Sequence, residues 1–488
     1  MNHAKATLVS LLTVVSLGGL GCGGDPAKPV DDPSKTPPKP TATASATAPP
    51  KEDRTAELEK VGARAFVWGY PLVFMERMKR TMTTNVRQPY GTFQHKSKIP
   101  TPADAEVLPT QDTLLSSTWV DLQEDGWVLK VPDMGDRYYD LQLVDAYSDV
   151  VGHVGRRSTG TKVGQFLITG PGFKGTVPAG MKEIKSPTNS LWIQGRTRVS
   201  GDADLPKVTA LLKQITLTPL GGKVPALPPP PEARPQDLAF AGGSFFDELG
   251  TALQIDAPPA TVADWLTGFA NAGIGPGLKP SAKLDAKEVD ALGMGIKDGA
   301  AEIDEAFDKL ATMKNGWDVD TRFGKTDREP LVRAAFVKRG LDFAAAEEIF
   351  APLTQVDDGN LTLSGAHEYS LHFDKDKLPP VDAFWSVALY SKKSGNFYEN
   401  PLKRYSLNDG ALKKNKDGSV DVFFQADAPA KGSINEANWL PVPKGEAFFV
   451  VVRMYQAKAD ALNGTWLLPA IKRKPDAGSG TPPTTPKK

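Results

Sequence analysis

Residues 438–466 read NWLPVPKGEAFFVVVRMYQAKADALNGTW, and the fold is best read outward from them. Pro441 and Pro443 cannot donate to a sheet ladder, so they hold an extended lead-in. Lys444-Gly445 then turns the chain. Residues 447–454 are almost wholly apolar and rich in Phe and Val. A run of this length between turn residues predicts a strand buried on both faces. Arg453 is the one charge near its end, and Tyr455 follows. Asn463-Gly464 marks a turn before Trp466. This reading places a central strand late in the chain.

The 488 residues correspond to roughly two or three domains. Apolar residues make up 40%, an ordinary globular share, and 42 prolines with 45 glycines predict many turns. Lys plus Arg and Asp plus Glu both number 58, so the chain has no net electrostatic footprint for nucleic acid.

Cys22 is the only cysteine. Residues 6–20 before it are mostly apolar and too short to span a bilayer as a mature helix. Leu20-Gly21-Cys22-Gly23 resembles a bacterial lipoprotein box, with Gly19 where a leucine is usual. The expectation is a signal peptide over 1–22 and a lipidated Cys22. The mature protein would then be lipid-anchored in the cell envelope, at the outer membrane or periplasmic face. Residues 23–55 are rich in Pro, Ala and Thr and lack aromatics, the composition of a disordered tether.

Along the rest of the chain the period changes twice. Residues 56–81 have helical spacing, interrupted at Gly69-Tyr70-Pro71, which predicts two short helices or one kinked helix. Segments 127–131, 138–144, 165–168 and 191–193 read as strands between turn residues. LPPPPEARP at 227–235 is a stiff break. Segments 236–255, 261–272, 286–313 and 330–350 then read as helices. Strands resume at 384–390, 420–425 and 447–454. The expected fold is a β-rich α+β chain of two jelly-roll-like antiparallel sandwiches with a helical middle segment. The N-terminal β-rich domain covers 56–226, the break and helices 227–355, the C-terminal β domain 356–474 and a polar tail 475–488.

Several stretches resemble known families. AFVWGYPLVFMERM (65–78), QDTLLSSTWVDL (111–122), VPDMGDRYYDLQLVDAYSDVVGHVGRRSTGT (131–161), GPGF (170–173) and SPTNSLWIQGRTRV (186–199) resemble domain of unknown function 1254. FWSVALYSKKSGNFYENPLKRYSL (384–407), NKDGS (415–419), NWLPVP (438–443) and the VRMY to LNGTW ending resemble its usual partner, domain of unknown function 1214. FFDELGTALQIDAPPA (245–260) looks like the joint between them. The resemblance implies sandwiches with helical insertions and no established activity. Thr110 and Leu115 stand where the first family more often has Asn and Tyr.

No motif specifies a reaction. His367, Glu368 and His372 have a histidine spacing of five rather than the four of a metal-binding helix, and on a strand they would face opposite sides. With few other histidines, the sequence offers no metal site and no cofactor. Gly324-Lys325-Thr326 lacks the opening glycine of a phosphate loop, because Val319 stands there. The densest polar constellation contains Asp112, Arg137, Tyr138, Asp145, His153, Arg156 and Arg157. Within it, Asp112, His153 and Arg156 are the candidates for hydrolase-like acid–base work. Arg137, Tyr138, Trp439 and Arg453 are the candidate ligand-binding residues. A salt-bridge network between strands would use the same residue types, and most of the tryptophans suit a sandwich core. The leading expectation is a small-ligand-binding or scaffolding lipoprotein, for a sugar-like or aromatic ligand. The alternatives are a hydrolase-like enzyme and a homo-oligomeric structural component whose sheet edges pair.

Overall fold

The computed structural model describes residues 53–104, 106–227, 242–322, 329–340 and 344–475. Cys22, the tether up to residue 52, the break at 228–241 and the tail beyond 475 lie outside them. The first helix is α1 (Thr55–Arg80). The strands β1 (Gln94–His95), β2 (Thr113–Asp121), β3 (Trp127–Val131), β4 (Tyr139–Asp145), β5 (Val150–Gly155), β6 (Gly164–Thr169), β7 (Lys182–Lys185) and β8 (Ser190–Arg198) follow. Then come α2 (Leu205–Leu212) and β9 (Thr216–Pro219). A helical layer contains α3 (Ser244–Ile255), α4 (Ala260–Thr267), α5 (Ala286–Asp308) and α6 (Pro330–Arg339), with β10 (Met313–Lys314) and β11 (Trp317–Asp318) before α6. The last third holds β12 (Ile349–Phe350), β13 (Leu353–Thr354), β14 (Tyr369–Phe373), β15 (Val381–Ser391), β16 (Ser406–Asn408), β17 (Val420–Gln425), β18 (Trp439–Pro441), β19 (Phe448–Ala457) and β20 (Lys472–Arg473).

These strands form two sandwiches. Sheet β1-β2-β8-β4-β5 packs on sheet β7-β6-β3-β9 around Trp127, Leu129, Leu141, Phe166 and Ile193. Sheet β10-β11-β13-β19-β15-β16, with β12 also paired to β19, packs on β18-β17-β14-β20 around Leu371, Val387, Val422, Val450 and Val452. Pairs β6/β7 and β17/β18 are parallel and the rest antiparallel. The β-rich, sandwich-like fold is as expected. As predicted, the late apolar run is a central strand: β19 lies between β13 and β15, and all ten of its residues are buried.

Several element boundaries differ from the sequence reading. One helix runs through Pro71 without interruption, although proline inside a helix costs about 3 kcal/mol. Phe66, Trp68, Leu72 and Val73 bury in the helical cluster, and each such side chain contributes about 1.5–3 kcal/mol. The contact with α5 is close: a Cβ on Gly62 would sit 2.2 Å from the Leu292 carbonyl oxygen. The predicted helix 330–350 ends at Arg339, where Gly340 takes a φ of 136°. Ile349 and Phe350 instead pair with Tyr455 and Met454. The helix read over 286–313 ends at Asp308, and Met313 belongs to β10. Strand β19 runs on to Ala457, so Arg453 and Tyr455 lie inside it.

The two sandwiches meet through one sheet of each. Opposite residues on antiparallel strands share a face. Gln142 pairs with His153 and Gln194, and Asp140 with Arg196, so these polar side chains occupy one face of the first sheet. Tyr139, Leu141 and Leu143 point the other way, into the sandwich core. In the second sheet Ser386 pairs with Arg453, and Phe384 with Tyr455. The two faces touch, forming a seam of mostly polar residues.

Candidate functional site

The centre of the seam is the Asp112 carboxylate, placed by the residue before β2. Its Oδ2 accepts hydrogen bonds from Ser386 Oγ at 2.6 Å, Tyr455 OH at 3.2 Å and Thr110 Oγ1 at 3.2 Å. Burial, then the Asp112 charge, pushes the Tyr455 hydroxyl far above the usual tyrosine range, so it stays a donor. Next to it, Arg453 Nη1 donates to Tyr390 OH at 2.5 Å and Nη2 to the Leu108 carbonyl at 2.9 Å. The Phe384 ring stacks on Tyr455 with centroids 4.1 Å apart, and Tyr138 meets Tyr455 edge-on at 5.2 Å.

A second group lies further along the seam. His153 Nδ1 is 3.0 Å from Asp140 Oδ1. Glu348, next to β12, receives the Arg157 Nε–H on Oε1. The side chains of Asp140 and Glu348 have no solvent exposure and that of His153 has 10%. Burial, then the Asp140 charge, raises the Glu348 carboxyl to about 7. For His153, burial opposes the charged form, but the hydrogen bond to Asp140 and the Asp140 and Glu348 charges outweigh it and raise its pKa. Asp140 Oδ2, Glu348 Oε2 and Tyr138 OH are buried without a hydrogen-bond partner among the described residues. Burying such atoms unpaired is costly, which marks this place as chemically unusual.

At the edge of the seam lies an open groove with a cavity volume of about 600 Å³, lined by Arg137, Arg198, Lys207, Ser200 and Asp136 among others. Arg137 is neutralised there by a two-pronged contact with Asp204, Nη2 to Oδ1 being 2.9 Å. The Arg198 guanidinium lies 3.9 Å from the Phe384 ring centroid. Among the described residues no carboxylate comes within ion-pair distance of Arg198; Asp409 feels its charge only at longer range.

The fold therefore brings Asp112, Tyr138 and Arg453 into the seam and leaves Arg137 on the groove wall. Arg156 also lies in the seam, where Nη1 donates to Gln456 Oε1 at 2.6 Å and to the Asp382 carbonyl at 2.9 Å. No hydrogen bond or ion pair joins any two of Asp112, His153 and Arg156 among the described residues. Trp439 lies apart, buried in β18, with its indole N–H on the Gln425 carbonyl at 2.8 Å. The sequence reading did not pick out Asp140, Glu348, Arg198 or Ser386. Asp140 and Gln142 did carry a signal: they are alternate polar residues in an otherwise apolar strand. Glu348 carried none, since Glu347-Glu348 reads as the solvated face of a helix.

Residues 90–219 match the family described as Protein of unknown function (DUF1254), and residues 348–459 match Protein of unknown function (DUF1214). The chain carries both domains, in that order. The seam joins them: Asp112, Asp140, His153 and Arg198 come from the DUF1254 region, and Glu348, Phe384, Ser386, Arg453 and Tyr455 from the DUF1214 region. No curated protein matches the chain. Among solved structures, the VPA0106 protein from Vibrio parahaemolyticus superposes with a TM-score of 0.69 at 23% identity, covering 86% of this chain and all of its own. That likeness establishes a shared fold. An uncharacterized protein from Burkholderia cenocepacia aligns over 86% of this chain and 94% of its own, at 11% identity and a TM-score of 0.42, too low to bear on the fold. Among the described residues no helix is long and apolar enough to cross a membrane.

Proposed function

We propose that the protein binds a small anionic ligand, such as a carboxylate or phosphate ester, in the groove where the seam reaches the surface. The observation that carries this reading is Arg198, whose guanidinium sits 3.9 Å from the Phe384 ring centroid, has no ion-pair partner among the described residues and lines a groove of about 600 Å³. A stacked guanidinium is already oriented, so it loses little freedom when it takes a two-pronged contact from an anion. Lys207 and Ser200 add donors, while Asp136 disfavours ligands of high negative charge. The lining, basic and without an aromatic side chain, favours an anion over the sugar-like or aromatic ligand expected from the tryptophans. A thermal-shift panel of small carboxylates and phosphate esters tests the reading. A member that raises the melting temperature of the wild type, and not that of Arg198→Ala, supports it. If no member raises the wild type, or if Arg198→Ala responds equally, the reading falls.

Anchoring through Cys22 is part of the same proposal. It rests on the apolar leader and on the Pro-rich tether after the cysteine, which would hold the groove away from the bilayer. Labelled palmitate entering the wild type but not Cys22→Ala is the expected result.

A further inference from the structure

We propose that Asp140, His153 and Glu348 form a divalent transition-metal site that ties the two domains together. One ligand atom from each of the three lies within 4.8 Å of the others. Zinc-type ions bind imidazole and carboxylate at about 2.0–2.2 Å, so neighbouring ligand atoms in the shell lie roughly 3.0–3.4 Å apart. The 3.0 Å separation of His153 Nδ1 and Asp140 Oδ1 matches such a pair. Two further oxygens, Asp140 Oδ2 and Glu348 Oε2, are buried without hydrogen-bond partners among the described residues, and the Tyr138 hydroxyl is buried in the same condition. Two wholly buried carboxylates are stable only beside positive charge. One divalent ion with a neutral imidazole balances both. An imidazole with carboxylates selects zinc, manganese or iron in preference to calcium, which takes oxygen ligands.

The ligands come from three places in the chain. Asp140 and His153 are diagonal neighbours on paired strands β4 and β5, so the sheet register fixes their spacing. Glu348 comes from the second domain, on the turn that leads into β12. Gln456 accompanies it: its N–H donates to the Glu348 carbonyl, and its own φ is 56°. Arg157 now supplies the positive charge on Glu348, but its side chain is 40% exposed and free to swing outward. Arg157 and the metal are thus alternative cations for one carboxylate, and metal uptake would release the arginine.

The test uses the full-length protein, stripped with a chelator and titrated with zinc or manganese. Calorimetry with elemental analysis should find one tight site per chain. Glu348→Gln and His153→Ala should each weaken binding by more than about 100-fold, beyond the 10–100-fold typical of lost supporting contacts. Arg157→Ala should tighten binding severalfold, a gain that a misfolded variant cannot imitate. Circular dichroism confirms that each variant is folded. The proposal is overturned if the wild type takes up neither ion, if Arg157→Ala leaves affinity unchanged, or if the site is lost in His372→Ala instead. His372 lies between Asp374 and Asp421 on the surface and is the natural competitor for loosely held zinc. Ligand binding in the Arg198 groove is read separately and does not depend on this result.

Discussion

The two faces of β19 come from ten consecutive residues and do opposite work. Phe448, Val450, Val452 and Met454 point into the C-terminal sandwich, where their neighbours are Leu371, Val422 and Phe424. Arg453 and Tyr455 point the other way, toward Asp112 and Tyr390. Both faces are equally dry. The first is held by apolar area and close packing, which need the right volume but no particular partner. The second face adds directional bonds to the apolar packing of Phe449 and Val451: Tyr455 to Asp112 and Arg453 to the Leu108 carbonyl cross between the domains, and Arg453 to Tyr390 stays within its own sheet. The difference teaches that burial alone does not identify a core. A buried face with polar partners across a domain boundary is a candidate site, while a buried apolar face is scaffold.

This contrast can be broken by substitution. Phe448→Ala should cost about 3–5 kcal/mol in urea unfolding, because the face it leaves is tightly packed. A loss under about 1 kcal/mol would mean that the sandwich repacks and that volume matters less there than argued.

Polar burial should also leave a pH signature that the apolar face lacks. Asp145, at the end of β4, is raised to about 7 by burial and then by the Asp149 charge. Its folded value lies above the usual 3.8, so the folded state binds more protons between those limits. Stability should therefore be greatest below about 4 on this account and fall as pH rises toward 7, by up to about 1.4 kcal/mol per unit. Asp145→Asn should flatten that slope in unfolding curves taken from pH 4 to 8. An unchanged slope would remove Asp145 from the account.

Asp112→Ala is expected to cost about 1–3 kcal/mol, because it strands the Ser386 and Tyr455 hydroxyls. Tyr455→Phe, which removes the hydroxyl's bond to Asp112 and its longer contact with Thr110 but keeps the stacked ring, should cost about 0.5–1.5 kcal/mol. The double variant should lose less than the sum, since both changes delete the same contact. Strict additivity in this cycle would show that the two groups do not act together.

Much of the fold could be read along the chain. Period-two segments at 127–131 and 420–425 became β3 and β17 with matching limits. The turn signal at Asn463-Gly464 falls in a turn, as expected. Where the reading failed, a distant partner outweighed a local preference. The 344–350 stretch has helical composition, but the part of β19 beyond its pairing with β13 takes Ile349 and Phe350 as a strand. Pro71 should interrupt a helix, but the packing around it is too extensive to give up.

The site was legible only as an inventory. From the sequence, Asp112, Tyr138, His153, Arg156 and Arg453 stood out as polar residues in strand-rich stretches, and the alternation within β4 set Asp140 apart from its apolar neighbours. Such alternation follows from the pleat of the backbone and needs no partner to be recognised. Which polar face would meet which was decided by the docking of two sheets more than two hundred residues apart in sequence. That docking joined Asp112 to Ser386, set Glu348 beside Asp140, and left Trp439 buried apart from them in β18. A local pattern fixes the direction of a side chain relative to its own strand, whereas its neighbour across a domain boundary depends on the shape and polarity of both surfaces together.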